Sequence, residues 1–224
     1  MKLMPALPES IFDILYLVFA VSTGIRLLKH ARGRRQVQLA GIATLLLGGG
    51  DAFHLIPRVL GYWLPGEWTA ALGIGKLITS VTMTLFYLLL ERVRRERYQD
   101  SRPAMIIFRV LAAVRIGLCL FPQNAWTQAD APVSWGIWRN IPFVILGILT
   151  VAVWMKQSRG DSVFRFLPLA VCLSFLFYIP VVLWAHQIPL IGMLMLPKTM
   201  MYVWIICMFR KAERQQQASS EQSA

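Results

Sequence analysis

Six ionisable side chains stand inside long apolar stretches of this 224-residue chain: Asp51, His54, Lys76, Arg109, Arg115 and Lys198. A charge at the centre of a bilayer costs about 2.5–3.5 kcal/mol on insertion scales, so such residues are candidates for function. Their spacing adds order. Asp51, His54 and Arg58 stand at i, i+3 and i+7, which is one face of a helix. Lys76, Thr79, Ser80, Met83 and Tyr87 follow the same rule in another stretch, and Ser174 and Tyr178 in a third. Arg139 and Asn140 open a further stretch, just ahead of Pro142. Hydrocarbon offers these groups no hydrogen-bond partner, so each stripe is expected to turn inward. The resulting pocket would hold Arg58, Lys76, Arg115, Arg139 and Lys198 against one carboxylate, Asp51. Such a surplus asks for an anion, and a carboxylate, a phosphate or a lipid head group would fit. The expected ligand-binding set is Asp51, His54, Arg58, Lys76, Ser80, Arg115, Arg139, Tyr178 and Lys198.

The same residues admit other chemistry. Asp51 and His54 are the catalytic candidates for a membrane hydrolase or transferase acting on lipids. In that reading they serve as base and orienter, Ser80 or Tyr178 assists, and the cations hold a phosphate. Purely structural roles are also open: Asp51 stapling helices through Lys76 or Arg115, Arg109 snorkelling to an interface, and Arg58 and Arg139 touching head groups. Gly48, Gly49 and Gly50 suit close helix approach. Cys119, Cys172 and Cys207 read as small core residues without metal-ligand spacing, and no cofactor motif is present. Only three histidines exist, His30, His54 and His186, so no metal site is expected.

The elements that must carry these groups follow from the apolar runs. Of all residues 57% are hydrophobic, too many for a soluble domain of this size to cover. Seven stretches approach the roughly 20 residues that cross a bilayer: Ile11–Leu28, Gln38–Ile56, Thr69–Leu90, Pro103–Phe121, Ile137–Met155, Phe164–Trp184 and Ile188–Phe209. Their continuous apolar character predicts an all-α bundle rather than the alternation of a barrel. Residues 1–212 form one transmembrane domain in this reading. The Gln- and Ser-rich end, 213–224, is expected to be a disordered cytoplasmic tail. Met1 to Ser10 carries no small-residue cleavage site, which favours an uncleaved first helix.

Charge orients the bundle. The net charge of +12 is gathered in short clusters between apolar runs, which excludes the pattern of a nucleic-acid binder. Alternate connections hold Arg26, Lys29, Arg32, Arg34 and Arg35; then Arg92, Arg94, Arg95, Arg97 and Arg102; then Lys156, Arg159 and Arg165; and finally Arg210, Lys211 and Arg214. These are 16 of the 23 lysines and arginines. Only Lys2, Arg58 and Arg139 fall on the other side. The positive-inside rule puts the N-terminus outside and the C-terminus in the cytoplasm of a plasma (inner) membrane of bacterial type. Trp63, Trp68, Trp126, Trp135, Trp138 and Trp184 then mark the outer interface.

Three short resemblances bear on function. In helix count and in Asp51, His54 and His186 the chain resembles seven-helix lipid amidases, which bind zinc through several histidines and an aspartate. His30 falls in a cytoplasmic connection, so the three-histidine set is missing. Gly50-Asp51-Ala52, with Pro57 beyond, is similar to the glycine–aspartate element of lysoplasmalogenase-type membrane hydrolases. That match covers under a twentieth of the chain and carries no active site with it. Lys198, with Phe177, Tyr178 and Pro180, resembles the microbial rhodopsins, which implies retinal held at Lys198. Leu194 and Lys76, however, stand where that family's chemistry needs carboxylates. The expected function is therefore a membrane-embedded receptor, sensor or carrier with an outward-facing pocket for an anionic or lipid-like molecule. The lipid bilayer is its surroundings, and a homo-oligomer is compatible with its size.

Overall fold

The computed structural model describes residues 3–100 and 104–222, and the architecture is an all-α bundle of seven α-helices. They are α1 (Leu3–Lys29), α2 (Arg35–Trp63), α3 (Thr69–Tyr98), α4 (Ala104–Leu120), α5 (Val133–Gln157), α6 (Leu167–Trp184) and α7 (Met195–Gln222). Short 3₁₀ turns cover Pro122–Asn124 and Pro189–Leu194, and no strand occurs among the described residues. Six helices are long and apolar enough to cross a membrane; α4, described over 17 residues, falls short of that length. Only 22% to 44% of each apolar stretch is buried within the protein. Large apolar side chains such as Leu15, Val18, Ile106, Ile148 and Leu176 stay exposed on the bundle, which is the makeup of a multi-pass membrane protein. Arg102, Pro103 and Lys2 lie outside the described residues.

Consecutive helices pack as neighbours, and α7 returns to touch α1 and α2, closing a ring. Short connections make each neighbour antiparallel, so the arginine-rich connections gather at one end. Small residues set the closest approaches. A Cβ on Gly48 would lie 2.8 Å from that of Ala20 on α1, and one on Gly75 of α3 would collide with the α2 backbone at Phe53 and His54. Helices α2 and α3 are thereby pressed together where His54 and Lys76 project. Gly49, by contrast, has nothing within reach. The core beneath is aromatic: Tyr87 meets Phe143 edge-on at 5.3 Å and Phe175 at 5.8 Å, and Phe86 meets Tyr202 at 5.8 Å.

Three sequence expectations need correction. The seventh segment is not one helix from Ile188, because Pro189 and Gly192 favour a 3₁₀ turn there. Pro197, lacking an N–H, then sits in the first turn of α7, where that loss is harmless. The chain is helical from Glu213 to Gln222, where composition alone suggested no regular structure. Tertiary packing supplies the reason: Glu213 is buried, and Gln215 accepts a 2.9 Å hydrogen bond from Arg97. Residues 223–224 lie outside the described set. Cys172 and Cys207 are exposed on the outer surface of the bundle, and only Cys119 is a core residue.

Candidate functional site

At the end opposite the arginine-rich connections, α2 to α7 surround a cavity of about 410 Å³. Its wall includes His54, Arg58, Lys76, Ser80, Arg115, Arg139, Tyr178 and Lys198, so eight of the nine expected ligand-binding residues meet around one space. The ninth, Asp51, lines a smaller annex of about 50 Å³. Both spaces share His54, Arg58, Thr79, Met83, Gly192, Met195 and Lys198 as a common wall. The stripe on α3 behaves as its spacing requires: Lys76, Thr79, Ser80 and Met83 face the cavity, while Tyr87 lies below it with its hydroxyl 3.4 Å from that of Tyr202.

Arg115, Arg139 and Lys198 are positioned by neutral groups. Arg115, only 2% exposed, donates from Nη1 to the Arg139 carbonyl at 3.1 Å and to Asn140 Oδ1 at 2.9 Å. Its guanidinium lies over the Phe143 ring at 3.7 Å, and its Nε is buried without a partner. Arg139 donates to Asn124 Oδ1 at 2.8 Å and stacks over Trp126 at 4.2 Å. Lys198, 7% exposed, holds its ammonium 4.5 Å from the Tyr178 ring centre. Tyr178 in turn donates to Asn140 Oδ1 at 2.8 Å. Lys76 is the most open of the four. Among the described residues none of Lys76, Arg115, Arg139 and Lys198 has a carboxylate within 4.0 Å; Arg58 alone of the cavity's lysines and arginines is paired, with Glu9. Two helix N-termini add to the field. Val133 and Gly136 of α5 and Met195 of α7 border the cavity, and the positive end of each helix dipole points there.

The annex has the opposite character. It is lined by Glu9 and Asp13 of α1 and by Asp51 of α2. Tyr16 donates a 2.6 Å hydrogen bond to Asp51 Oδ2. The staple expected between Asp51 and Lys76 or Arg115 is therefore not formed, because α1 reaches the carboxylate first. Nor does Asp51 hydrogen-bond His54, whose Nδ1 is buried without a partner. Asp13 is 4% exposed, and its Oδ2 also lacks a partner. Asp51 is thus not the sole carboxylate inside the spans. Glu9, Asp13 and Tyr16 stand at i, i+4 and i+7, a spacing that marks this face in the sequence.

The remaining sequence candidates lie around these two spaces or away from them. Lys198 is the fourth residue of α7, just beyond the 3₁₀ stretch Pro189–Leu194, and it borders the cavity from there. Arg109 is exposed near Arg35, Arg92 and Glu96, at the arginine-rich end and away from the cavity. His186 is at the rim, and among the described residues no three His, Cys, Asp or Glu side chains gather in a way that would hold a metal ion. Asn124, in a connection without periodicity, gave no signal in the sequence. It is fully buried and its Nδ2 donates to the carbonyls of Leu118, Cys119 and Phe121.

No protein-family model matches the chain, and comparisons with curated proteins and with solved structures also return no match.

Proposed function

We propose that this protein is a membrane-embedded receptor, sensor or carrier whose cavity takes the anionic head of a small or lipid-like molecule. One observation carries the reading: Lys76, Arg115, Arg139 and Lys198 border a single space with no carboxylate of the described residues in ion-pair range of any of them. Buried charge normally comes with its counter-charge. Here a bound anion supplies it, held by charge-assisted hydrogen bonds from the guanidinium and ammonium groups. Met83, Phe143, Val181 and Val182 provide apolar wall beside these cations, which suits an amphiphile better than a bare inorganic ion. With the arginine-rich connections in the cytoplasm, the cavity opens toward the outer face of a plasma membrane of bacterial type.

Native mass spectrometry of gently purified protein is the direct test, joined to titration with octyl sulfonate followed through the fluorescence of Trp126 and its neighbours. The expected outcome is a co-purified anion or saturable sulfonate binding, weakened about tenfold in Lys198→Met, a loss of about 1.4 kcal/mol. A clean apo mass together with no sulfonate binding would overturn the reading.

A further inference from the structure

The annex behind the cationic cavity holds a buried acid for which the proposed anion site gives no role. Asp13 is 4% exposed, its Oδ2 has no hydrogen-bond partner, and it lines the space of about 50 Å³ that shares a wall with the cavity. An ionised carboxylate left bare in a dry interior is far costlier than a neutral acid. The charged and titratable groups around it are Glu9 and Tyr16 on its own helix, Asp51, His54 and Arg58 on α2, and Lys198 and Tyr202 on α7. Two of these are already engaged: Glu9 by Arg58, and Asp51 by the Tyr16 hydroxyl. Asp13 shares Arg58 with Glu9 and is left with no hydrogen bond at Oδ2. Lys198 borders both spaces, so its ammonium feels the charge on either side of the wall.

We infer that Asp13 is a proton-binding site linked to the cavity, so that the protein takes up a proton together with its anion. The inference rests on the anion reading above. Its sign follows from charge alone. An ionised Asp13 satisfies part of the field of Arg58, which borders both spaces, and repels an incoming anion, and protonation removes both effects. Anion binding is then tighter at low pH, and by reciprocity the bound anion raises the proton occupancy of the annex. For a carrier, this couples an anion to a proton and cancels charge that would otherwise have to cross the bilayer uncompensated.

The test uses the full chain in neutral detergent with octyl sulfonate, whose charge is constant from pH 5 to pH 8. Affinity is measured across that range, and calorimetry in two buffers of different ionisation heat counts the protons exchanged. The expected result is uptake of roughly one proton per anion where the linkage is strongest, with affinity falling by up to tenfold per pH unit. In the infrared, a protonated carboxyl band should grow on binding and be missing in Asp13→Asn. That variant should bind with little pH dependence, whereas His54→Gln should keep the slope. The wild-type calorimetry stands even if Asp13→Asn fails to fold. Binding with equal heats in both buffers overturns the linkage alone, as does a slope lost in His54→Gln. No binding at any pH overturns the anion site and the linkage with it.

Discussion

Two buried arginines at opposite ends of the bundle face the same problem and solve it differently. Arg94, 1% exposed, donates from Nε and Nη2 to Glu91 at 2.6 Å each and from Nη1 to Asp100 at 2.8 Å, with Gln157 as a further acceptor. Arg115, 2% exposed, has a carbonyl, an amide oxygen and a ring face, but no carboxylate. The surroundings extend the contrast. Near Arg94, Arg97 forks onto Asp161 at 3.0 and 3.3 Å, and Arg35 meets Glu96 at 3.1 Å. Around the same cavity, Lys76, Arg139 and Lys198 likewise have no carboxylate within 4.0 Å among the described residues, and Arg58 alone is paired, with Glu9. The buried arginine at the arginine-rich end is met by carboxylates, and the network around it ties α3, α5 and α7 together, whereas the buried arginine at the opposite end is met by neutral groups.

That comparison breaks most visibly through paired substitutions. Arg94→Met removes the counter-charge of fully buried Glu91, and removal of one partner from a buried pair costs about 3–5 kcal/mol. A large fall in the thermal midpoint in detergent is the expected result. Arg115→Met removes a charge with no partner, so the lost hydrogen bonds and ring contact are offset, and stability should change by only about 1 kcal/mol. Octyl sulfonate affinity should nevertheless drop tenfold or more. Equal destabilisation by the two substitutions would dissolve the distinction between the ends.

Asn140→Asp sharpens the contrast by making Arg115 resemble Arg94. The new carboxylate replaces the amide oxygen now 2.9 Å from the guanidinium, supplying internally what the anion is proposed to bring. Sulfonate binding should weaken about tenfold, measured by the same titration, while the protein remains folded. Unchanged affinity would mean that Arg115 does not face the ligand.

The smallest effect concerns pH at the paired end. Burial works against ionisation of Asp161, but hydrogen bonds from Arg97, the Val163 N–H and Tyr98 outweigh it and hold the carboxyl below its ordinary range. A group lowered in the folded state contributes stability that is complete above its unfolded value, about 3.9, and is lost as pH falls through the folded value. Wild-type melting temperature should therefore fall at the acid end of a titration, and Asp161→Asn should flatten that part of the curve. Parallel curves for the two proteins would remove Asp161 from the account.

Much of this was legible beforehand, and the gaps have physical causes. Hydropathy locates the helices because lipid leaves no other backbone solution, and the stripe from Lys76 to Tyr87 faces inward for the same reason. The annex escaped because Asp13 lies two residues into a strongly apolar run whose average hides a single acid, although its spacing with Glu9 and Tyr16 was there to be counted. The 3₁₀ stretch ahead of α7 escaped because Pro189 and Pro197 shape where the helix begins, a matter of backbone chemistry rather than hydropathy. Asn124 was invisible because its role is to bind three carbonyls at the end of α4, a geometry no periodicity encodes.

Those Asn124 contacts have a mechanical meaning. Through Asn124, α4 is latched to Arg139, and Arg115 and Tyr178 converge on Asn140, so α4, α5 and α6 are laced into one stiff plate. Lys76 and Lys198 ride on α3 and α7, outside that lacing. Breathing of the cavity should leave the spacing between Arg115 and Arg139 nearly constant while Lys76 and Lys198 swing toward or away from it. Two guanidiniums are thereby held by one hydrogen-bonded unit, while the two ammonium groups reach the cavity from helices outside it.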